Sequence, residues 1–549
     1  HQNCSDFPLG RGTRESGRDS LRMRKACRCA KASRLNLKFE VIILALYDVR
    51  QFNNFPSLLD MSAKLFGELP AFRQKSSDGR LCDKSYAQFR KDVMSFGSAL
   101  CKMGHERSSI ALCAGNSILW CAAYMAAAIY TAAAVPIDKE LTGSDIIKAL
   151  QKSGSKVLVT DKKTYKKICS CGNDFPQGTV LIGTDFCGGD VLSAESLLEE
   201  TSIKEMPQKG DDEISVLLFT SGTTGDAKAV ALSQSSICFD ISSVMKIVKI
   251  NEGERALSLL PLHHTYECSI TFLCCFYAGV TVCFGGGLRE IYSDLKLFSP
   301  HALILVPLFI ENFYKKLHYF SKETVSEFFG GSLRLIVCGA APLDPKYLEF
   351  FSSAGITALQ GYGLTECSPI AMCSSDKDVI YSSVGKPLPG TLAKIINKDE
   401  NGIGEICVKG KMLMLGYYEK EKSIIKSTDS DGWFHTGDLG KTDEDGNYYI
   451  TGRLKNVIIT ANGKNVFPEE LELKLTSYGE IDEALVYEGR DIRNDRAVCA
   501  KIVTHAERER IKEIIKEINL SNAPFKAIKD FEICRSLQKN AAHKIVRNN

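Results

Sequence analysis

Ser215-Val216-Leu217-Leu218-Phe219-Thr220-Ser221-Gly222-Thr223-Thr224-Gly225-Asp226-Ala227-Lys228 decides how this chain is read. Its first half is a short apolar run bounded by Ser and Thr, the pattern of a parallel strand buried on both faces. Its second half is a loop of hydroxyl residues and two glycines, closed by a lysine. Glycine lets backbone approach a ligand closely. The hydroxyls of Thr220, Ser221, Thr223 and Thr224 offer donors to phosphate oxygens, and Lys228 adds a point charge. A Walker A loop needs Gly-Lys followed by Ser or Thr, whereas here Lys228 stands two residues too far from Gly225 and Ala229 follows, so the ordinary P-loop fold is not supported. Taken alone, the stretch fits a Ser/Thr/Gly surface turn equally well.

Outward from this loop the chain alternates short apolar runs with amphipathic stretches, the pattern of α/β layers. Val157-Leu158-Val159, Val180-Leu181-Ile182 and Leu335-Ile336-Val337 read as further buried parallel strands. Residues 403–408 and 447–450 alternate in polarity, which predicts a more antiparallel region. A final module follows Arg453, with strands near 483–488 and 497–503. Its helix, Ala506 to Ile518, places Ile511, Ile514, Ile515 and Ile518 on one face. No internal repeat or low-complexity segment is visible.

At 549 residues the chain is too long for one core, and about three or four modules are expected at roughly 150 residues each. Hydrophobic residues at 44% and charged residues at 25% exclude wholesale disorder, collagen and coiled coil. A net charge of +3 leaves no nucleic-acid footprint. The charge is uneven, with +6 on residues 1–34 and −3 on the rest. The 21 cysteines contain no C-x-x-C spacing, which argues against zinc ribbons and redox motifs. An odd count in a large chain points to reduced thiols and a cytoplasmic setting. Ile118 to Val135 is almost wholly apolar but ends in Val135-Pro136-Ile137-Asp138, which reads as a buried helix running into a strand. The chain begins with His1, and residues 1–46 read as a disordered appendage outside the fold, vector-derived or translated from upstream sequence. Their alternative reading is a basic anchor on anionic lipid.

Three further segments carry chemistry. Gly361-Tyr362-Gly363-Leu364-Thr365-Glu366 places an aromatic face, a hydroxyl and a carboxylate in one loop, parts suited to a base, a phosphate and a hard cation. Gly432-Trp433-Phe434-His435-Thr436-Gly437-Asp438 offers an Asp after a glycine turn, a natural acceptor for ribose hydroxyls. Gly452-Arg453-Leu454-Lys455-Asn456 follows.

With these motifs in this order, the chain resembles the adenylate-forming enzymes, and within them the long-chain fatty acyl-CoA synthetases, most closely the bacterial members. The resemblance runs from about residue 48 to 549. It implies an α/β fold with layered subdomains and a β-rich subdomain in a large N-terminal adenylation domain (47–452). A hinge (453–455) and a small mobile α+β C-terminal domain (456–549) follow. It also implies an ATP-dependent fatty acid:CoA ligase using Mg²⁺, with coenzyme A as acyl acceptor. The acceptor could instead be an acyl carrier protein, the acid could be aromatic or an amino acid, or the chain could bind nucleotide without turnover. Membrane association, if any, would be peripheral.

Residue by residue, the resemblance makes Thr220, Ser221, Gly222, Thr223, Thr224, Gly225 and Lys228 the loop gripping the ATP phosphates. Leu260-Pro261-Leu262-His263-His264-Thr265-Tyr266-Glu267 lies beside the acyl pocket, with His264 gating carboxylate and thiol entry; as a bare residue, His264 also fits a hydrogen-bonded core turn. Gly339, Ala340, Ala341, Gly361 and Tyr362 surround adenine, Thr365 contacts the α-phosphate, and Glu366 binds Mg²⁺. Asp438 and Arg453 hold the ribose, Lys455 is the hinge, and Lys544 is the catalytic lysine. Residues 462–470 resemble the family's loop and helix start just beyond the hinge. Ala227 and Ala229 stand where the family usually has Pro and Gly. In the closing stretch, Gln538, Asn540, Ala542 and His543 depart from the usual residues. These departures predict a reduced rate with Lys228, Glu366, Asp438 and Lys544 retained.

Overall fold

The apolar runs become neighbours in two nine-stranded sheets. In the computed structural model, residues 45–76, 78–172, 174–220, 228–419, 423–460, 464–490, 496–539 and 545–547 are described, all within the unit Ile42–Asn549. One sheet runs from the edge strand Leu81–Ser85 through Pro70–Lys75, Thr281–Phe284, Arg255–Ser258, Ala302–Leu305, Leu335–Cys338 and Thr357–Gly363 to Ile370–Cys373 and Lys386–Pro387. The other contains Val191–Ser193, Val180–Gly183, Ser155–Thr160, Ser109–Cys113, Ala133–Pro136, Val216–Thr220, Lys228–Leu232, Gly416–Tyr418 and Ile424–Ile425 in that order.

Strands buried on both faces feed different cores with alternate residues. Ile110 joins the large core shared by the two sheets, while Ala111 joins the core on the outer side of its sheet. Ala256 and Leu257 divide in the same way across the first sheet. Helices Tyr86–Lys102, Ile118–Tyr130 and Gln234–Met245 fill the space between the sheets. Helices Ile291–Phe298, Pro307–Leu317 and Pro345–Ser353 cover one outer face, and Gly143–Ser153 with Lys162–Cys169 cover the other.

The helix at Ile118–Tyr130 is buried nearly all round and leads into the strand Ala133–Pro136, as the sequence suggested. Among the described residues, no helix is long and apolar enough to cross a membrane. Every described cysteine is a free thiol, most of them buried.

A four-stranded antiparallel sheet, Leu392–Ile396, Gly404–Lys409, Phe434–Thr442 and Tyr448–Arg453, follows the two large ones. Beyond it a separate core is drawn from Ile458 to Ile528. There the strands Ile481–Arg490, Arg496–Thr504 and Ile528–Cys534 pack on helices Pro468–Thr476 and Arg508–Ser521. Ile511, Ile514, Ile515 and Ile518 are buried in it, each contributing about 1.5–3 kcal/mol. The fold is thus a mixed α/β large region with a β-rich part, followed by a smaller C-terminal region.

Two expectations need correction. The strand Val216–Thr220 is parallel to only one neighbour, Ala133–Pro136, and antiparallel to Lys228–Leu232. Residues 1–44 lie outside the described residues, but Leu46, expected in the appendage, belongs to the body. Its amide donates to the Lys246 carbonyl at 2.8 Å, and the Tyr47 amide donates to the same oxygen at 3.1 Å.

Candidate active site

The quoted loop joins two antiparallel strands, with Thr220 and Lys228 directly opposite each other. A P-loop runs from strand to helix, so this hairpin connection is a different device. Ser221, Gly222, Thr223, Thr224 and Gly225 lie outside the described residues. Thr220 Oγ1 donates to the Lys228 carbonyl at 3.3 Å, which closes the neck of the loop.

Three strands, one from one large sheet and two from the other, end at the candidate site, as ligands bind at strand ends of open α/β sheets. Val216–Thr220 ends at the loop. Leu335–Cys338 ends at Gly339-Ala340-Ala341, where Ala340 is held at φ 71°, a left-handed conformation costing about 1–2 kcal/mol outside glycine. The Tyr266 ring backs this turn, and its hydroxyl donates to the Val337 carbonyl at 3.1 Å. Thr357–Gly363 carries Gly361 and Tyr362 and leads into a short 3₁₀ turn, Thr365–Cys367.

Two groups of predicted residues meet. The Tyr362 hydroxyl donates to Asp438 Oδ2 at 2.6 Å, and Arg453 Nε forms an ion pair with Asp438 Oδ1 at 2.8 Å. Burial, with the Asp438 charge beside it, pushes the Tyr362 hydroxyl well above the usual tyrosine range, so it remains a donor. Asp438 and Arg453 face each other across adjacent strands. Gly437 lies within the strand, in the bulge before Asp438, at φ 69°, open to glycine. Both carboxylate oxygens are anchored.

Glu366 and Lys228 meet through a residue the sequence reading passed over. The Tyr417 hydroxyl donates to Glu366 Oε1 at 2.9 Å, and Lys228 Nζ sits 4.6 Å from the centroid of the same ring. Burial and the Glu366 charge raise the Tyr417 hydroxyl above its ordinary value. The signal was Gly416-Tyr417-Tyr418, but only the pairing of this strand with Lys228–Leu232 gives it meaning. The Glu366 carboxylate and Thr365 hydroxyl are hard oxygen donors and fit Mg²⁺.

His264 is exposed, with its ring 4.2 Å from that of His263. Burial, then the charges of His264 and Lys139, hold His263 well below the usual histidine range, so it is neutral. His263 Nε2 lies 3.6 Å from Asp138 Oδ1. A small apolar cavity beside His263, lined by Tyr124, Leu218, Ile237 and Cys268, has a volume of about 10 Å³. That is close to the minimum for one water.

A larger cavity of about 570 Å³ opens at the carboxyl ends of Ser109–Cys113, Ser155–Thr160 and Val180–Gly183, lined in part by Asn116, Lys139, Lys163 and Lys167. It adjoins the histidine segment, because Asn116 Nδ2 donates to the Leu260 carbonyl at 2.7 Å and its Oδ1 accepts the Leu262 amide at 3.0 Å.

Lys455 lies in a 3₁₀ turn, Leu454–Asn456. Beyond it the helix Pro468–Thr476 closes on the strand Tyr448–Arg453, so tightly that a Cβ on Gly452 would stand 2.6 Å from Glu469 Oε2. Burial first, then the charges of Arg453 and Arg547, lower the Lys455 ammonium from its usual value. Lys544 lies outside the described residues. On either side of it, Lys539 pairs with Ile545, and Arg547 is ion-paired with Glu472.

Residues 59–418 match the family of AMP-binding enzymes. The chain is 30% identical over 384 residues to long-chain-fatty-acid–CoA ligase FadD15 of Mycobacterium bovis, covering 58% of this chain and 63% of that protein. It is 28% identical over 454 residues to long-chain-fatty-acid–CoA ligase 5 of Rattus norvegicus, covering 71% and 66%. The chain thus spans about 63–66% of the length of these relatives. Among solved structures, it superposes on the anthranilate CoA ligase AuaEII in complex with anthranoyl-AMP with a TM-score of 0.78 and 21% identity, covering 92% of this chain and 96% of that one. The o-succinylbenzoate coenzyme A synthetase of Bacillus subtilis, in complex with ATP and magnesium, superposes with a TM-score of 0.72 and 24% identity, covering 89% and 98%. At these identities the structures speak for the fold alone.

Proposed function

The chain belongs to the AMP-binding enzyme family, and on that premise we propose that it is an ATP-dependent fatty acid:CoA ligase working through an acyl-adenylate. The observation that carries this reading is a pair of side-chain groups, Tyr362 with Asp438 and Arg453, and Tyr417 holding Glu366 by its hydroxyl and Lys228 on its ring face. The names of the relatives, long-chain-fatty-acid–CoA ligases, support the acid and the acceptor.

In this account a fatty carboxylate oxygen attacks the α-phosphorus of ATP, the bond to the bridging oxygen breaks, and pyrophosphate leaves. Both reactants are anions, so the site must supply fixed positive charge. Lys228 and the residues 220–225 take the outer phosphates, and Thr365 takes the α-phosphate. Tyr362 stacks on adenine between Gly361 and the Gly339-Ala340-Ala341 turn. Asp438 and Arg453 take the ribose. Mg²⁺, held by Glu366, would neutralise phosphate charge when bound. Lys544 reaches the reacting carboxylate. The C-terminal domain, 456–549, then turns about Lys455, withdrawing Lys544 and admitting the thiol past His264. The thiol attacks the acyl carbonyl and AMP leaves.

The small cavity beside His263 must widen for an acyl chain, which makes side-chain movement part of substrate entry. We place the protein in the cytoplasm, consistent with its buried free thiols, with any membrane contact peripheral. Pyrophosphate release tests the reading. It should require palmitate and Mg²⁺, and continuous turnover should require coenzyme A. Turnover with a phosphopantetheine carrier protein and none with coenzyme A would shift the acceptor, and no palmitate-dependent release would end the reading.

A further inference from the structure

The four-stranded sheet holds a side-chain cluster that this reaction does not use. Cys407 and His435 are direct cross-strand neighbours, and Glu405 precedes Cys407 by two residues on the same strand. Cys407 Sγ lies 3.7 Å from His435 Nδ1, and Glu405 Oε2 lies 3.1 Å from the same nitrogen. The thiol, the imidazole nitrogen and a carboxylate oxygen all lie within 4.8 Å of one another. A tetrahedral ion with bonds of about 2.3 Å to sulfur and about 2.0 Å to nitrogen and oxygen sets its donors roughly 3.3–3.6 Å apart. The observed separations of the imidazole nitrogen from its two partners differ from that by a few tenths of an ångström.

A second feature points the same way. His435 Nε2, the nitrogen turned away from the cluster, lies 3.6 Å from Asp429 Oδ2. Asp429 is itself fixed by the amides of Trp433 at 2.8 Å and Asp431 at 3.0 Å. A carboxylate on the far nitrogen is the usual support of a metal-binding histidine, fixing its tautomer and ring orientation. Lys394, opposite Cys407 on the other neighbouring strand, is the opposing charge, and its ammonium is partly occupied 4.1 Å above the Trp433 ring.

We propose that Glu405, Cys407 and His435 form a binding site for a thiophilic divalent cation of the zinc class, with three protein ligands and one open position. A thiolate, an imidazole and a single carboxylate select zinc or cobalt over magnesium, which prefers oxygen donors in an octahedron. The site is coupled to the nucleotide side of the molecule. Glu405 Oε1 accepts the Gly437 amide at 3.1 Å, and Thr436 Oγ1 donates to the Ile406 carbonyl at 2.7 Å and accepts the Asp438 amide at 3.1 Å. A cation seated between Glu405 and His435 would fix the strand bulge that presents Asp438.

The test is a Co²⁺ titration of the whole chain after chelator treatment, read by absorption. The site should give a thiolate-to-cobalt charge-transfer band and tetrahedral ligand-field bands that saturate at one ion per chain. Zn²⁺ should displace them and excess Mg²⁺ should not. Cys407→Ala should abolish the charge-transfer band. His435→Asn, a change at a partly exposed side chain that leaves packing intact, should weaken binding strongly. Asp429→Asn should weaken it by about 10–100-fold. Absence of the band in the wild-type chain, or its persistence at full intensity in Cys407→Ala or His435→Asn, would overturn the assignment.

Discussion

The hydroxyl of Tyr417 donates to Glu366 Oε1 at 2.9 Å while the face of the same ring carries Lys228 Nζ, 4.6 Å from its centroid. One side chain therefore positions both the candidate metal ligand and the cation at the neck of the phosphate loop. It does so from the strand Gly416–Tyr418, which pairs beside Lys228–Leu232. In the proposed reaction this couples the grip on the outer phosphates to the placement of the metal.

Glu366→Gln should raise the Mg²⁺ concentration needed for half-maximal adenylation and slow the step. The amide keeps one oxygen and loses the charge that holds a hard cation. Tyr417→Phe keeps the ring under Lys228 and removes only the hydroxyl, so it should produce a milder shift in the same direction. Magnesium titrations of pyrophosphate release compare them. An unchanged titration in Glu366→Gln would move this carboxylate out of the metal shell.

Lys544→Ala should lower adenylation by about 10²–10³-fold, the loss expected for one preorganised charge at the reacting group. Thioester formation from supplied acyl-adenylate should be nearly intact. Single-turnover assays of each half-reaction separate the two, and equal losses in both would make Lys544 a structural residue.

Lys455→Pro should have the opposite signature. Proline fixes φ near −65° and removes a donor, so one of the two backbone arrangements needed at a hinge is lost. Lys455 already lies in a 3₁₀ turn, whose φ of about −50 to −70° suits proline. Pyrophosphate release should survive as one turnover while transfer to coenzyme A stalls. Quenched single-turnover samples should then contain enzyme-bound acyl-adenylate. A similar modest loss in both steps, without trapped intermediate, would reduce Lys455 to a surface charge.

Buried Glu267 gives the fold a pH dependence. The Ser258 and Thr271 hydroxyls donate to its carboxyl at 2.6 and 2.7 Å, yet burial outweighs them and pushes it up to about 8. Between its ordinary value and that one, the folded chain keeps a proton that the unfolded chain releases. Stability from this group is therefore full at acid pH and is lost as pH rises towards about 8, with a slope on the order of 1 kcal/mol per pH unit. Glu267→Gln should flatten that slope, measured as the difference in urea-unfolding free energy between about pH 5.5 and pH 7.5. An equal slope in wild type and variant would assign the titration elsewhere.

Much of this architecture was legible before the structure, because it rests on local pattern. The buried strands at 157–159, 180–182 and 335–337 and the isoleucine face at 511–518 each fit one period. Tyr362, Glu366, Asp438 and Arg453 stood out because each sits in a short, chemically loaded loop. Tyr417 did not, since a tyrosine in an apolar strand gains a partner only through pairing with a strand far away in sequence. The antiparallel partner of Val216–Thr220 escaped notice for the same reason: an apolar run carries burial but not strand direction. The Glu405–Cys407–His435 cluster needed the register between two strands 30 residues apart, from Glu405 to His435. Leu46 was misplaced because a backbone amide bonded to the Lys246 carbonyl leaves no mark on composition.

The most direct measurement is a mass spectrum of the products formed from a fatty-acid mixture with ATP and Mg²⁺, with and without coenzyme A. Ligation through an acyl-adenylate requires acyl-CoA thioesters, AMP and pyrophosphate when coenzyme A is present. It requires acyl-AMP bound to the enzyme when coenzyme A is withheld. ADP and orthophosphate as the nucleotide products, or thioester formation with no acyl-AMP in the sample lacking coenzyme A, would contradict the account.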